Sequence, residues 1–147
     1  MGNLSVELSV EVDATCEDVW RWMSEVDKWS EWIPFIIYAS YIKGSNMEKG
    51  ARFKFKPSIK PFSITLKATV TESVSPHLLT WEGKLPLLKA CHTFEFISVG
   101  NSKTKVISRE KFTGAGVFFF KLFFPREKLE QLHSDWLKAI KEKKHSR

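Results

Sequence analysis

The sequence predicts an α+β domain in which a curved, seven-stranded antiparallel sheet wraps around one long C-terminal helix, with two short helices between strands 1 and 2. Three observations lead there. Residues 4–12 alternate strictly between apolar and polar. Six runs rich in β-branched and aromatic residues follow one another between Ile36 and Thr113, with only short turns between them. After Pro125 the apolar period changes from two to that of a helix.

The first strand, Leu-Ser-Val-Glu-Leu-Ser-Val-Glu-Val, has one face to bury. Thr15 is placed to cap a helix, with Asp18 three residues on, and Val19, Trp22, Met23 and Val26 give residues 16–26 a helical apolar stripe. Trp29 and Trp32 fit a second short helix around 28–32, closed by Pro34. Strands are predicted at Ile36 to Lys43, Ala51 to Lys56, Phe62 to Val74, Leu78 to Gly83, Lys89 to Val99 and Thr104 to Thr113. The segments between them carry Gly, Pro, Asn and Ser at hairpin spacing, so the six strands form an antiparallel meander. In the final helix Leu129, Leu132, Trp136, Ala139 and Ile140 share one face, opposite Glu127, Lys128, Glu130, Lys138 and Lys141. Pro125 suits its first turn, and Phe-rich residues 117–124 form an earlier helical piece, kinked at that proline. A single helix cannot fill a curved sheet, so a cavity between the two is expected.

Composition narrows the function classes. The 147 residues fit one domain spanning 1–147, and 12 Phe, 6 Trp and 2 Tyr exclude a disordered or collagen-like chain. Two cysteines, Cys16 and Cys91, cannot build a disulfide framework or a four-ligand zinc site. Ser5, Glu7, Ser9 and Glu11 interrupt every N-terminal apolar run, and Val117 to Phe124 is too short to cross a bilayer, which predicts a cytoplasmic protein. The net charge of +6 divides unevenly: residues 1–31 carry eight acids and two bases, and the rest carry nine acids and twenty-one bases. The bases are spread singly along alternating strands, apart from the run Lys138 to Arg147, so no nucleic-acid partner is expected. His77, His92, His133 and His145 lack metal-ligand spacing and no phosphate-binding glycine loop occurs, so neither a metal nor another cofactor is expected.

The stretches Val10-Glu-Val-Asp-Ala-Thr-Cys-Glu-Asp-Val-Trp20, Asp27 and Trp29-Ser-Glu-Trp32-Ile-Pro34 resemble the opening of the helix-grip superfamily. That superfamily includes START lipid-transfer domains, birch-pollen-allergen-like proteins and bacterial polyketide cyclases. Leu79-Thr-Trp81-Glu-Gly83, His92-Thr-Phe94-Glu-Phe96, Thr104-Lys-Val106 and Glu110-Lys-Phe112-Thr-Gly114 are similar to its polyketide cyclase/dehydrase-like branch. The resemblance spans nearly the whole chain. It implies the helix-grip fold and a pocket for a lipid, isoprenoid or polyketide-like molecule, and it does not fix an activity.

Alternation along the late strands places Ala90, His92, Phe94 and Phe96 on one face, with Val106, Ser108, Glu110 and Phe112 on one face of the next strand. His92 and Glu110 then become polar groups on an apolar concave wall. Three roles are open to them: satisfying each other or a water, anchoring a ligand, or acting as general acid and base. Trp29, Trp32 and Phe35 either line the cavity mouth or plug one end of the sheet, and Trp81 has the same two readings. The expected ligand-binding set is Trp29, Trp32, Phe35, Trp81, His92, Phe94, Ser108, Glu110, Phe112, Phe119, Leu132 and Trp136, and His92 and Glu110 are the catalytic candidates. Five Phe and one Leu in residues 118–124 cannot all turn inward on one helix. They are expected as a pocket lid first, a contact with a second copy of the chain second, and a transient membrane contact third.

The leading reading is a non-catalytic protein that binds a hydrophobic small molecule. The alternatives are a cyclase or dehydratase using His92 and Glu110, and a protein-interaction module with a sticky surface around Phe118 to Phe124.

Overall fold

The computed structural model describes residues 4–58 and 64–143. Strand β1 (Leu4–Val12) is followed by helix α1 (Cys16–Ser24), a 3-10 turn (Val26–Lys28) and helix α2 (Trp29–Trp32). Strands β2 (Ile36–Lys43), β3 (Arg52–Pro57), β4 (Leu66–Val74), β5 (Leu78–Leu85), β6 (Leu88–Gly100) and β7 (Lys103–Thr113) come next. Helices α3 (Val117–Phe123) and α4 (Arg126–Glu142) end the described chain. The predicted start of the fourth strand at Phe62 lies outside the described residues; Ile64 and Thr65 are not in strand.

All seven strands form one antiparallel sheet in the order β1-β7-β6-β5-β4-β3-β2. The meander runs outward from β7, and β1 returns to pair along the free side of β7 from Leu4↔Phe112 to Val12↔Thr104. This brings the chain's first strand beside its last, against the C-terminal helix.

Local chemistry explains the connections. Thr15 caps α1 by accepting the Asp18 N–H at 3.1 Å, as its position predicts. The helix stops at Ser24, two residues before the predicted end, and Val26 is reached through the 3-10 turn. Tyr41 on β2 ties this corner down: its hydroxyl donates to the Ser24 carbonyl at 2.7 Å and accepts from the Met47 N–H at 2.8 Å. Burial pushes the Tyr41 pKa up to about 12, so the phenol stays protonated as a donor.

The concave face of the sheet carries Val70, Leu79, Trp81, Phe94, Phe96 and Val106, all buried. Helix α1 closes one end through Val19, Trp20, Trp22 and Met23. Trp29 is fully buried where these elements meet, donating its indole N–H to the Met23 carbonyl at 3.1 Å. A smaller apolar cluster of Leu4, Val6, Phe112, Val117 and Leu129 lies at the other end, beneath α3. Among the described residues no helix is long and apolar enough to cross a membrane.

Candidate functional site

The register of β6 and β7 places His92 opposite Glu110 and Phe94 opposite Ser108. Alternation turns all four toward α4, whose buried stripe of Leu129, His133, Trp136 and Ile140 crosses above them. His92 and His133 stack with ring centroids 4.7 Å apart and planes 29° from parallel. Ser108 clamps one end of the stack, its Oγ lying 2.8 Å from both His92 Nε2 and His133 Nδ1. Glu110 holds the other end: Oε1 is 2.8 Å from His133 Nε2, and Oε2 is 3.9 Å from His92 Nδ1. His92 and Glu110 are therefore joined through Ser108 and His133, because the direct distance exceeds a hydrogen bond.

Both histidines are 4% exposed and Ser108 is fully buried. Burial, reinforced by the neighbouring His133, holds His92 well below its usual pKa, so its imidazole is neutral. The His92 ring also stacks on Phe94 at 4.4 Å and meets the Trp136 indole edge-to-face at 5.8 Å.

The polar cluster forms one wall of a cavity of about 460 Å³ between the sheet and α4. The remaining walls are apolar: Phe35, Phe55, Leu66, Ala68 and Trp81 on one side, and Leu88, Ala90, Phe112, Leu129 and Leu132 on the other. Phe120 and Phe124 reach in from the α3 region, packing on each other at 5.0 Å, and Phe120 on Phe112 at 4.8 Å. Lys67 and Lys84 contribute at the rim, where both are exposed.

Of the residues singled out from sequence, Phe35, Trp81, His92, Glu110, Phe112, Leu132 and Trp136 line this cavity. Trp29 and Phe94 are fully buried in the core beside it, and Ser108 lies behind the two imidazoles. Trp32 packs at the core's edge beneath the Lys143 ammonium. Phe119 points to solvent, 66% exposed, because the inward positions of α3 belong to Val117 and Phe120. His133, weighed from sequence only for metal-ligand spacing, is the member of the polar cluster that the expected set lacks. Its signal is a titratable side chain within an otherwise apolar helical stripe.

The donor atoms of His92, Glu110 and His133 lie within 4.8 Å of one another, a set of two imidazoles and a carboxylate drawn from three elements. Such residues suit a divalent cation chemically. In the arrangement seen, however, the His133–Glu110 and Ser108 hydrogen bonds already occupy them, and an ion would have to displace the former. Trp136 Nε1 is the buried side-chain polar atom without a hydrogen-bond partner among the described residues. Its ring meets those of Trp29, Phe35 and His92 edge-to-face.

Residues 3–143 match the family described as polyketide cyclase / dehydrase and lipid transport. The fold is similar to that of the Zhui aromatase/cyclase from Streptomyces sp. R1128, with a TM-score of 0.76 at 14% identity over 95% of this chain and 92% of that one. A START superfamily protein from Mycobacterium smegmatis superposes with a TM-score of 0.71 at 17% identity, over 95% of this chain and 92% of that one. The di-domain ARO/CYC BexL matches with a TM-score of 0.74 at 15% identity over 94% of this chain, which spans 45% of its length. No curated protein sequence matches the chain.

Proposed function

Because the chain belongs to the polyketide cyclase / dehydrase and lipid transport family, we propose that it binds a hydrophobic small molecule, of lipid, isoprenoid or polyketide-like character, between the sheet and α4. The observation that carries this reading is the cavity of about 460 Å³, whose apolar walls converge on one polar cluster. Apolar burial supplies affinity at roughly 25 cal/mol per Å² before the costs of association, and the few polar groups fix the ligand's orientation. Native mass spectrometry of the purified protein, followed by organic extraction, tests it. The expected result is a stoichiometric apolar adduct, or uptake of one from a panel of fatty alcohols, isoprenoids and aromatic polyols. A clean mass that takes up none of them refutes the reading.

The chain of hydrogen bonds supports a second, catalytic reading. Were His92 Nδ1 to take a proton from a bound molecule, its Nε2 proton would pass to Ser108, the Ser108 proton to His133 Nδ1, and the His133 Nε2 proton to Glu110. The proton would end on Glu110 as a neutral carboxylic acid, with the negative charge left on the bound molecule and no buried imidazolium formed. Ser108→Ala breaks this chain without removing a cavity-lining group. On the molecule recovered by extraction, it should abolish turnover while leaving affinity within about twofold; equal activity in the variant excludes the relay.

A further inference from the structure

The hydrogen-bonding capacity of the polar cluster can be followed atom by atom, and it restricts what the cavity accepts. Ser108 has one proton and two imidazole neighbours at 2.8 Å, so at most one ring nitrogen accepts from it and at least one donates to it. Glu110 as a carboxylate only accepts, which puts the proton of His133 on Nε2, 2.8 Å from Oε1. In the arrangement with one proton on each imidazole, His133 Nδ1 is bare and takes the Ser108 proton, and Ser108 in turn accepts from His92 Nε2–H. His92 is neutral, so its Nδ1 carries only a lone pair. In this arrangement every proton of the four side chains is committed. Two acceptors remain, His92 Nδ1 and Glu110 Oε2, 3.9 Å apart on the cavity wall.

We propose that the cavity recognises its ligand through a hydroxyl (an alcohol, phenol or enol on an apolar skeleton) and disfavours the corresponding carboxylate. The hydroxyl donates its proton to His92 Nδ1 or Glu110 Oε2. A carboxylate brings no donor and places a second negative charge beside Glu110. An ammonium group has the right sign but must shed its water against walls that are otherwise apolar. The cations at the rim, Lys67 and Lys84, are exposed and hold no place in the interior cluster. The inference rests on the ligand-binding reading above and deepens it.

Three probes of one skeleton test it at pH 7: 2-naphthol, 2-naphthoate and naphthalene, titrated into the intact protein and followed by NMR through the tryptophan indole N–H signals, since Trp81 and Trp136 line the cavity. The expected result is 2-naphthol binding about tenfold or more tighter than either of the others, the factor one hydrogen bond to a charged or buried acceptor supplies. In Glu110→Gln, whose amide adds donors, the preference for naphthol over naphthoate should shrink several-fold. The wild-type comparison stands alone should that variant fail to fold. Three probes bound within twofold of one another, or naphthoate bound most tightly, overturn the hydroxyl inference while leaving the apolar pocket intact. Binding of none of the three at 1 mM overturns the pocket itself, and the inference with it.

Discussion

His92 is buried without a charge, and that has a pH consequence. In the unfolded chain its imidazole titrates near the ordinary value of about 6.5. In the folded protein, burial and His133 hold it well below that. Above about pH 6.5 both states leave it neutral, and it contributes no pH dependence. Below that, the unfolded chain takes up a proton that the folded protein refuses, so stability falls by up to about 1.4 kcal/mol per pH unit until the folded value is reached. Urea unfolding at pH 7.5 and pH 5.0 should show a drop that His92→Gln reduces by as much as about 2 kcal/mol. The same drop in both proteins would place the acid sensitivity elsewhere. Strand alternation makes His92 and Glu110 legible as a facing pair, because a period of two needs only the local sequence. The route between them is not legible. Ser108 is visible only as a small residue on the same face, and His133 arrives from a helix whose angle across the sheet no local pattern specifies.

At the scale of elements, the hairpin tip between β5 and β6 organises the cavity mouth. Pro86 precedes Leu87, which adopts φ +64°, and Leu87 is 72% exposed. The Leu87 carbonyl accepts the Gly116 N–H at 2.7 Å, docking the start of α3 on the hairpin. Gly114 is required by geometry: φ is +112°, and a Cβ there would lie 2.5 Å from the Leu87 oxygen. Gly50 has φ +91° but open space around it, so it isolates the conformational cost alone. Gly114→Ala should therefore lose about 2 kcal/mol or more, clearly more than Gly50→Ala at about 1 kcal/mol, when both are compared by urea denaturation. Equal losses would mean that the turn yields freely and the docking carries no energy. The kinked helical piece expected from the Phe run exists as α3, ending before Pro125. Its division of labour follows from the helical period: Phe120 faces the cavity, while Phe118, Phe119, Leu122 and Phe123 are at least half exposed. Composition shows that some of these side chains must face outward. It does not show which, since that depends on where the hairpin tip holds the helix.

For the whole molecule, the unequal match between sheet and helix leaves the central space. Six of the seven strands run in sequence, each pairing with the next, which makes the order readable from the chain. Cavity volume is a different kind of property. It is a small difference between what the curved sheet encloses and what α4, α3 and the aromatic core fill, so it depends on side chains that only the assembled fold brings together. Trp136 illustrates this, meeting Trp29, Phe35, Phe55, Trp81, His92 and Phe94 from five other segments of the chain. If the space is kept for a ligand, filling it should separate binding from stability. Ala90 lies on the concave face of β6, opposite Gly83 on one side and Phe112 on the other, and lines the cavity. Ala90→Phe adds a ring where the wall is apolar and room exists, so no overpacking penalty is expected. The variant should melt at the wild-type temperature or above it, yet bind 2-naphthol at least tenfold more weakly by NMR titration. A variant that is destabilised by more than about 2 kcal/mol would show that the walls already touch in solution. One that binds as well as wild type would show that the ligand sits elsewhere. Only unchanged folding with lost binding fits a protein that leaves part of its interior unfilled for a guest.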